Sequence, residues 1–316
     1  MGGSFHVSML VIGIFGFNLH LSSIKLLITF ISLFTVGSYL EPPVLTNTLP
    51  GGQQPVYGVA VLFDQVFVVR RKTREVEVYD SNTLNLTSRL PVSGLADPSD
   101  LTSCSKFRCL YISDLRGGNE IRRVELGGAT TRWKVNDAPY GLSVTPDPDF
   151  HVLVTCGDVR KLKDFTTNGT LVRQILLQEN LANPWHAIQF DGQFIVSHGW
   201  MRSEPLHRVC IVNSTSHTTR CYGGPPGSAA GQLYEPRYLA TDGEGNVLVA
   251  DRTNQRVLLL NKTLEYVGEL ISTRNSGRLG FEPWRLCLDV SRGRLFVTDN
   301  RQKDMLVFQV RDEKNI

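Results

Sequence analysis

Residues 235–257 run Glu235-Pro236-Arg237-Tyr238-Leu239-Ala240-Thr241-Asp242-Gly243-Glu244-Gly245-Asn246-Val247-Leu248-Val249-Ala250-Asp251-Arg252-Thr253-Asn254-Gln255-Arg256-Val257. The proline holds its neighbour extended and opens a short apolar segment. Asp242-Gly243-Glu244-Gly245-Asn246 has the composition of a turn. Val247-Leu248-Val249-Ala250 is a continuous apolar run of strand length, as expected of a strand buried on both faces. After Asp251 the chain turns again, and Arg256-Val257-Leu258-Leu259-Leu260 reads as a third strand. Leu264-Glu265-Tyr266-Val267 reads as a fourth.

This unit recurs. Prolines at 55, 98, 139, 184, 236 and 283 open comparable segments, 41 to 52 residues apart. Each is followed by a β-prone run: Val66-Phe67-Val68-Val69, Leu110-Tyr111-Ile112-Ser113, Val152-Leu153-Val154-Thr155, Phe194-Ile195-Val196-Ser197, residues 247–250, and Leu295-Phe296-Val297-Thr298. From residue 41 onward no long helical period appears. Four short strands repeated at this period are the mark of propeller blades, because a lone four-stranded sheet cannot bury both faces whereas a ring of them does. The expected fold is all-β, a six-bladed β-propeller of four-stranded antiparallel blades over residues 39–316. The blades start near 55, 98, 139, 184, 236 and 283. The last is one strand short, and residues 43–50 are spare. We assign those residues to its outer strand, closing the ring and removing an open edge.

The stretch from Glu235 to Val257 resembles the NHL repeat: a proline, a small apolar strand, Asp-x-x-Gly, a β-run ending in Asp, then Asn-x-Arg-Val. The sixth unit keeps Asp299 and Asn300, and the second keeps Asp114 and Asn119. The first, third and fourth units carry Arg70, Cys156 and His198 where the aspartate falls. The resemblance spans about residues 55–310 and implies a six-bladed propeller. The whole-chain layout is also similar to uncharacterised extracellular NHL-like proteins of simple animals. Asp114, Asp251 and Asp299 are read as structural, accepting backbone N–H bonds in the turn that follows.

Several features point outside the cytosol. Residues 1–38 hold a single charged side chain, Lys25, with an apolar run on either side and Gly37-Ser38 after the second. They read as a signal peptide or, alternatively, as a retained membrane anchor, although the run from 26 to 36 is short for a full span. Asn85, Asn168, Asn213 and Asn261 each begin an Asn-x-Thr sequon, the acceptor for N-glycosylation. Cys104 with Cys109, and Cys210 with Cys221, have the spacing of hairpin cross-links in an oxidising compartment. Cys156 and Cys287 have no evident partner. The expected location is secreted, or membrane-anchored with an extracellular propeller.

The formal charge is only +3, weak grounds for nucleic acid, so the RNA-binding role known for cytoplasmic NHL domains ranks low. No zincin, nucleophile-elbow or phosphate-loop motif is present. Residues 223–231 are glycine-rich but lack the following lysine, and read as a long connection. Six-bladed propellers elsewhere include calcium-dependent lactonases and zinc-dependent lyases, which place carboxylates and histidines at the channel mouth. The matching positions here follow each proline: Tyr57, Ser99 with Asp100, Tyr140, Trp185 with His186, Arg237 with Tyr238, and Trp284 with Arg285. One aspartate and one histidine do not make a calcium or zinc cage. No metal and no cofactor is expected. The aromatic and arginine set fits recognition of an extracellular protein, peptide or glycan. The competing reading is core packing near the axis, or a purely adhesive module.

Overall fold

The computed structural model describes residues 39, 42–49, 51–146, 148–199, 201–301 and 303–311. The signal or anchor segment, 1–38, lies outside the described residues, and no described helix is long and apolar enough to cross a membrane.

Strand β1 (Val44–Leu49) comes first. Blade 1 is β2 (Val56–Leu62), β3 (Gln65–Arg70), β4 (Glu75–Asp80) and β5 (Leu86–Pro91). Blade 2 is β6 (Pro98–Cys104), β7 (Cys109–Asp114), β8 (Glu120–Glu125) and β9 (Thr130–Lys134). Blade 3 is β10 (Gly141–Val144), β11 (Val152–Cys156), β12 (Lys161–Phe165) and β13 (Leu171–Leu176). Blade 4 is β14 (Pro184–Phe190), β15 (Gln193–His198), β16 (His207–Val212) and β17 (Thr218–Gly224). Blade 5 is β18 (Pro236–Thr241), β19 (Val247–Asp251), β20 (Arg256–Leu260) and β21 (Tyr266–Ile271), and a single helical turn, α1 (Thr273–Ser276), follows it. Blade 6 is β22 (Pro283–Asp289), β23 (Arg294–Asp299) and β24 (Met305–Gln309). Its fourth strand is β1, which pairs antiparallel with β24 from Val44↔Gln309 to Leu49↔Met305.

Every strand pair within a blade is antiparallel, and every pair except β1–β24 joins consecutive strands. The first strand of each blade lies nearest the axis and runs away from the mouth. The turns from first to second strand and from third to fourth therefore lie at the far end. The turns from second to third strand, and the connections between blades, lie at the mouth.

Six apolar clusters fill the six gaps between neighbouring blades. The period-2 alternation of a strand divides its side chains between two gaps. In β19, Leu248 and Ala250 pack toward blade 6 while Val247 and Val249 pack toward blade 4. In β23, Leu295 and Val297 face blade 5 and Phe296 faces blade 1. This two-sided burial is why the second strands read as unbroken apolar runs. Near the axis the blades approach closely: a Cβ added at Gly141 would lie 2.6 Å from the carbonyl oxygen of Trp185 in the next blade.

The turn aspartates take backbone N–H groups mainly from the connection that enters the blade, and only Asp114 and Asp299 also take one from the turn that follows. Asp114 accepts the N–H groups of Ala96, Asp97 and Gly117 and the Nε–H of Arg122. Asp251 accepts from Tyr234 N, Asn254 Nδ2 and Arg256 Nε, and Asp299 from Glu282 N and Arg301 N. Blade 1, which lacks the aspartate, swaps the charges: Arg70 Nε donates to Glu77 Oε2 at 3.0 Å.

One disulfide is formed, Cys210–Cys221, joining register partners on β16 and β17. The expected second cross-link is absent: Cys104 and Cys109 are register partners on β6 and β7 but remain thiols. Both thiols are buried.

Candidate binding site at the channel mouth

A β-bulge at the head of the inner strands builds the site. Register shifts between Val56 and Gly58, Pro98 and Asp100, Pro184 and His186, Pro236 and Leu239, and Pro283 and Leu286. The residues so released from the ladder are Tyr57, Ser99, Trp185, Arg237 with Tyr238, and Trp284 with Arg285. In blade 3, Tyr140 precedes the first paired residue, Gly141. A bulge re-aims a side chain, and here it turns one or two side chains per blade toward the axis.

Those side chains form two layers. In the upper layer, Trp284 stacks on Tyr57 with centroids 6.0 Å apart, Tyr140 leans on Trp185 at 5.2 Å, and the two tryptophans meet edge to face at 5.5 Å. Arg237 lies beneath, its guanidinium carbon 4.4 Å from the Trp185 ring and 4.7 Å from the Trp284 ring. A desolvated cation–π contact of this kind contributes about 2 kcal/mol. Between the rings opens a pocket of about 180 Å³ with Arg285 in its lining, walled by Tyr57, Tyr140, Trp185 and Trp284, with Arg71, Asp97 and Arg116 at its side.

The lower layer is a polar plug to which every blade contributes. Arg285 donates from Nε to Tyr57 O at 2.8 Å and from Nη2 to Ser99 O at 2.5 Å, and its Nε lies 3.3 Å from Asp100 Oδ1. Asp100 also accepts the N–H groups of Leu101 and Leu142 and the hydroxyl of Tyr238. His186 stacks on Tyr238 at 3.7 Å, bridges to Leu142 O through Nε2, and accepts the Leu239 N–H at Nδ1. Beyond the plug a second cavity, of about 150 Å³, is lined by Val59, Leu101, Leu142, Ser143 and Tyr238 among others. The mouth pocket is thus a blind recess, closed off from the far end.

The sequence-predicted set therefore divides. Tyr57, Tyr140, Trp185 and Trp284 line the recess and Arg237 braces its tryptophans. Arg285 belongs to both layers. Asp100, His186 and Tyr238 are buried in the plug, each 6% exposed or less, where they hold the blades in register. The arginines are matched to carboxylates: Arg285 to Asp100, Arg237 and Arg252 to Glu235, and Arg116 to Asp97. Glu235 and Asp97 each serve more than one arginine, so the mouth offers ring faces together with a modest net positive charge.

Arg71, Asp97 and Arg116, with Arg252 behind Trp284 at 5.2 Å, were not singled out by sequence. Arg71, Arg116 and Arg252 each lie one or two residues past the end of a second strand. Antiparallel topology puts that turn at the mouth, and counting strands would have found them. Among the described residues, no three His, Cys, Asp or Glu side chains converge as metal ligands. The four sequon asparagines all sit away from the mouth, in turns between third and fourth strands.

Burial sets the protonation of the plug. It pushes the His186 imidazole down to about 3, helped by the Arg285 charge, and does the same to His198 beside Arg208. It also raises Asp100 and Asp251 to about 6, against the opposing pull of their N–H donors and a guanidinium, which favour the carboxylate. A depressed histidine gives stability that is full above pH 6.5. That stability fades toward pH 3 by about 1.4 kcal/mol per unit, because the unfolded chain takes the proton and the folded one does not. The raised carboxyls act in the opposite sense between pH 6 and 3.8, so bulk stability blurs the two. Site-resolved NMR separates them: the His186 and His198 rings stay neutral from pH 8 to pH 5, and a midpoint near 6.5 for either would contradict their burial.

No protein-family model matches the chain. Solved structures do. A Staphylococcus aureus virginiamycin B lyase superposes with a TM-score of 0.61 at 13% identity, covering 83% of this chain and 97% of that one. A Kuenenia stuttgartiensis hydrazine synthase chain gives 0.59 at 13%, over 85% and 99%. The WD40 propeller domain of Doa1 gives 0.57 at 14%, over 84% and 96%. What they share with this chain is the propeller. Without a matching family model, the NHL likeness rests on the motif in blade 5 and its partial copies in blades 2 and 6.

Proposed function

We propose that this protein is an extracellular binding module that takes one ring-bearing element of a protein, peptide or glycan into the blind recess at the mouth. The observation that carries this reading is the recess itself: about 180 Å³, walled by four aromatic rings on bulged, rigid strands. Drug-sized ligands need pockets of roughly 300–1,000 Å³, so this one suits a single side chain or sugar ring presented by a larger partner. Aromatic anchors in such pockets dominate recognition energy. The neighbours' lyase chemistry does not transfer at 13% identity. The mouth of this chain presents rings and paired guanidiniums where a cation-dependent enzyme would present oxygen and imidazole ligands.

The test uses the protein secreted from animal cells and screened on glycan and peptide arrays. Trp185 and Trp284 are each 8% exposed and Arg237 3%, so replacing them disturbs the fold as well as the site. Tyr57 and Tyr140 are only half-buried and make the cleaner probes. Tyr57→Ala with Tyr140→Ala should weaken the best array ligand at least tenfold, about 1.4 kcal/mol or more, with an unchanged melting curve. Unaltered affinity would remove the mouth from consideration.

A further inference from the structure

The four sequons are not scattered. Asn85 lies between β4 and β5, Asn168 between β12 and β13, Asn213 between β16 and β17, and Asn261 between β20 and β21. Each is the turn from third to fourth strand, in blades 1, 3, 4 and 5. By topology all four open on the face opposite the aromatic mouth. In blade 2 the same turn is Leu126-Gly127-Gly128-Ala129, with no asparagine, and in blade 6 the third and fourth strands come from opposite ends of the chain.

A second observation concerns what that end exposes. Phe63 and Phe107, in turns from first to second strand, and Leu86, Leu171, Val172 and Tyr266, at the starts of outer strands, are all at the far end and are 40% to 53% exposed. Leu86 directly follows Asn85, Leu171 and Val172 follow Asn168 by three and four residues, and Tyr266 follows Asn261 by five. Among the described residues, the large apolar side chains exposed at the mouth end are Leu176, Met201 and Leu279. Large apolar side chains exposed singly are ordinary on a protein surface, so what matters here is that these share one end of the ring with all four sequons.

We propose that N-linked glycans at Asn85, Asn168, Asn213 and Asn261 sheath the far face and its exposed apolar side chains, leaving the mouth as the bare face for a partner. The proposal rests on the extracellular reading, since only an exported chain meets the modifying machinery. In the transfer, the asparagine amide nitrogen attacks the anomeric carbon of a lipid-pyrophosphate-linked oligosaccharide. The N–C bond forms, the C–O bond to pyrophosphate breaks, and the amide loses one proton. The folded turns accommodate the product. Asn85 and Asn168 are exposed. In the Asn213 and Asn261 turns it is Oδ1 that accepts the local bonds, from Thr215 and His217 and from Thr263 and Glu265. Asn261 Nδ2 donates one bond, to Glu265 Oε2, and a glycosylated amide nitrogen keeps one hydrogen for it.

The experiment takes the full-length protein from animal cells, releases N-glycans enzymatically in heavy-oxygen water, and maps the tagged asparagines by peptide mass spectrometry. The folded protein is compared before and after release for binding of the apolar dye anilinonaphthalene sulfonate and for sedimentation. The expected result is a tag at all four positions, then a severalfold rise in dye fluorescence and self-association on release. Bare asparagines in protein recovered from the medium overturn this proposal alone, as do tags whose removal leaves dye binding and sedimentation unchanged. Protein retained in the cytosol, with bare asparagines and Cys210 and Cys221 reduced, overturns the extracellular reading and this proposal together.

Discussion

Deletion of residues 41–50 lowers the unfolding temperature by roughly 10 °C, the expected signature of an opened ring. The segment supplies β1, whose five register pairs with β24 complete blade 6. Leu49 is 7% exposed, in the cluster that joins blades 6 and 1. Thr46 Oγ1 donates to Val307 O, and Gly51 N donates to Asp304 Oδ1 across the same seam. Ladder bonds at about 1 kcal/mol each and one buried leucine at about 2 kcal/mol sum to an effect on the order of 5 kcal/mol. For a domain of this size, each kcal/mol moves the midpoint by about 2–4 °C. Deletion also bares the unpaired edge of β24, so the variant should self-associate. Calorimetry of the purified protein reads the first effect and sedimentation the second. A shift below about 2 °C would mean that the ring does not depend on this strand.

The second large effect is at the plug. Arg285 is 2% exposed and Asp100 fully buried, and the guanidinium is the principal countercharge for that carboxylate. Removing one partner of a buried pair costs about 3–5 kcal/mol, because the other charge is left unmatched. Arg285→Met should destabilise by that much and loosen the mouth pocket, since Tyr57 and Ser99 lose the donor that holds their carbonyls. Asp100→Asn added to Arg285→Met should restore part of the loss. The amide oxygen still accepts the Leu142 N–H but carries no net charge. Chemical denaturation of the two variants decides the matter. A double variant no more stable than Arg285→Met alone would show that the cost is packing and not charge.

The fold was legible because its strongest signals are local. Each X-Pro step sits where an inner strand begins, and each second strand, buried on both faces, reads as an unbroken apolar run such as Val247-Leu248-Val249. Outer strands were harder to read. β13, with Leu171, Val172 and Leu176 exposed, and β17, with only partial burial, carry little pattern. The site was half legible. Sequence located the residue after each proline, but it could not tell Trp284 from Arg285 or Trp185 from His186 in depth. That distinction comes from a bulge, and a bulge is a register event between two strands with no mark of its own in one. The pairing of Cys104 with Cys109 was read from spacing alone: the register brings them opposite, yet both remain thiols, and spacing in sequence does not fix the side-chain geometry a disulfide requires.

The most direct test of the mouth as the binding face is site-specific photo-crosslinking. A benzophenone amino acid replaces Tyr140 at the mouth in one version of the purified protein and Phe107 at the far face in another. Each is irradiated with the tightest ligand from the glycan and peptide arrays. A covalent adduct is expected from position 140 and none from position 107. An adduct from 107 alone, or equal adducts from both, would contradict a binding face at the mouth.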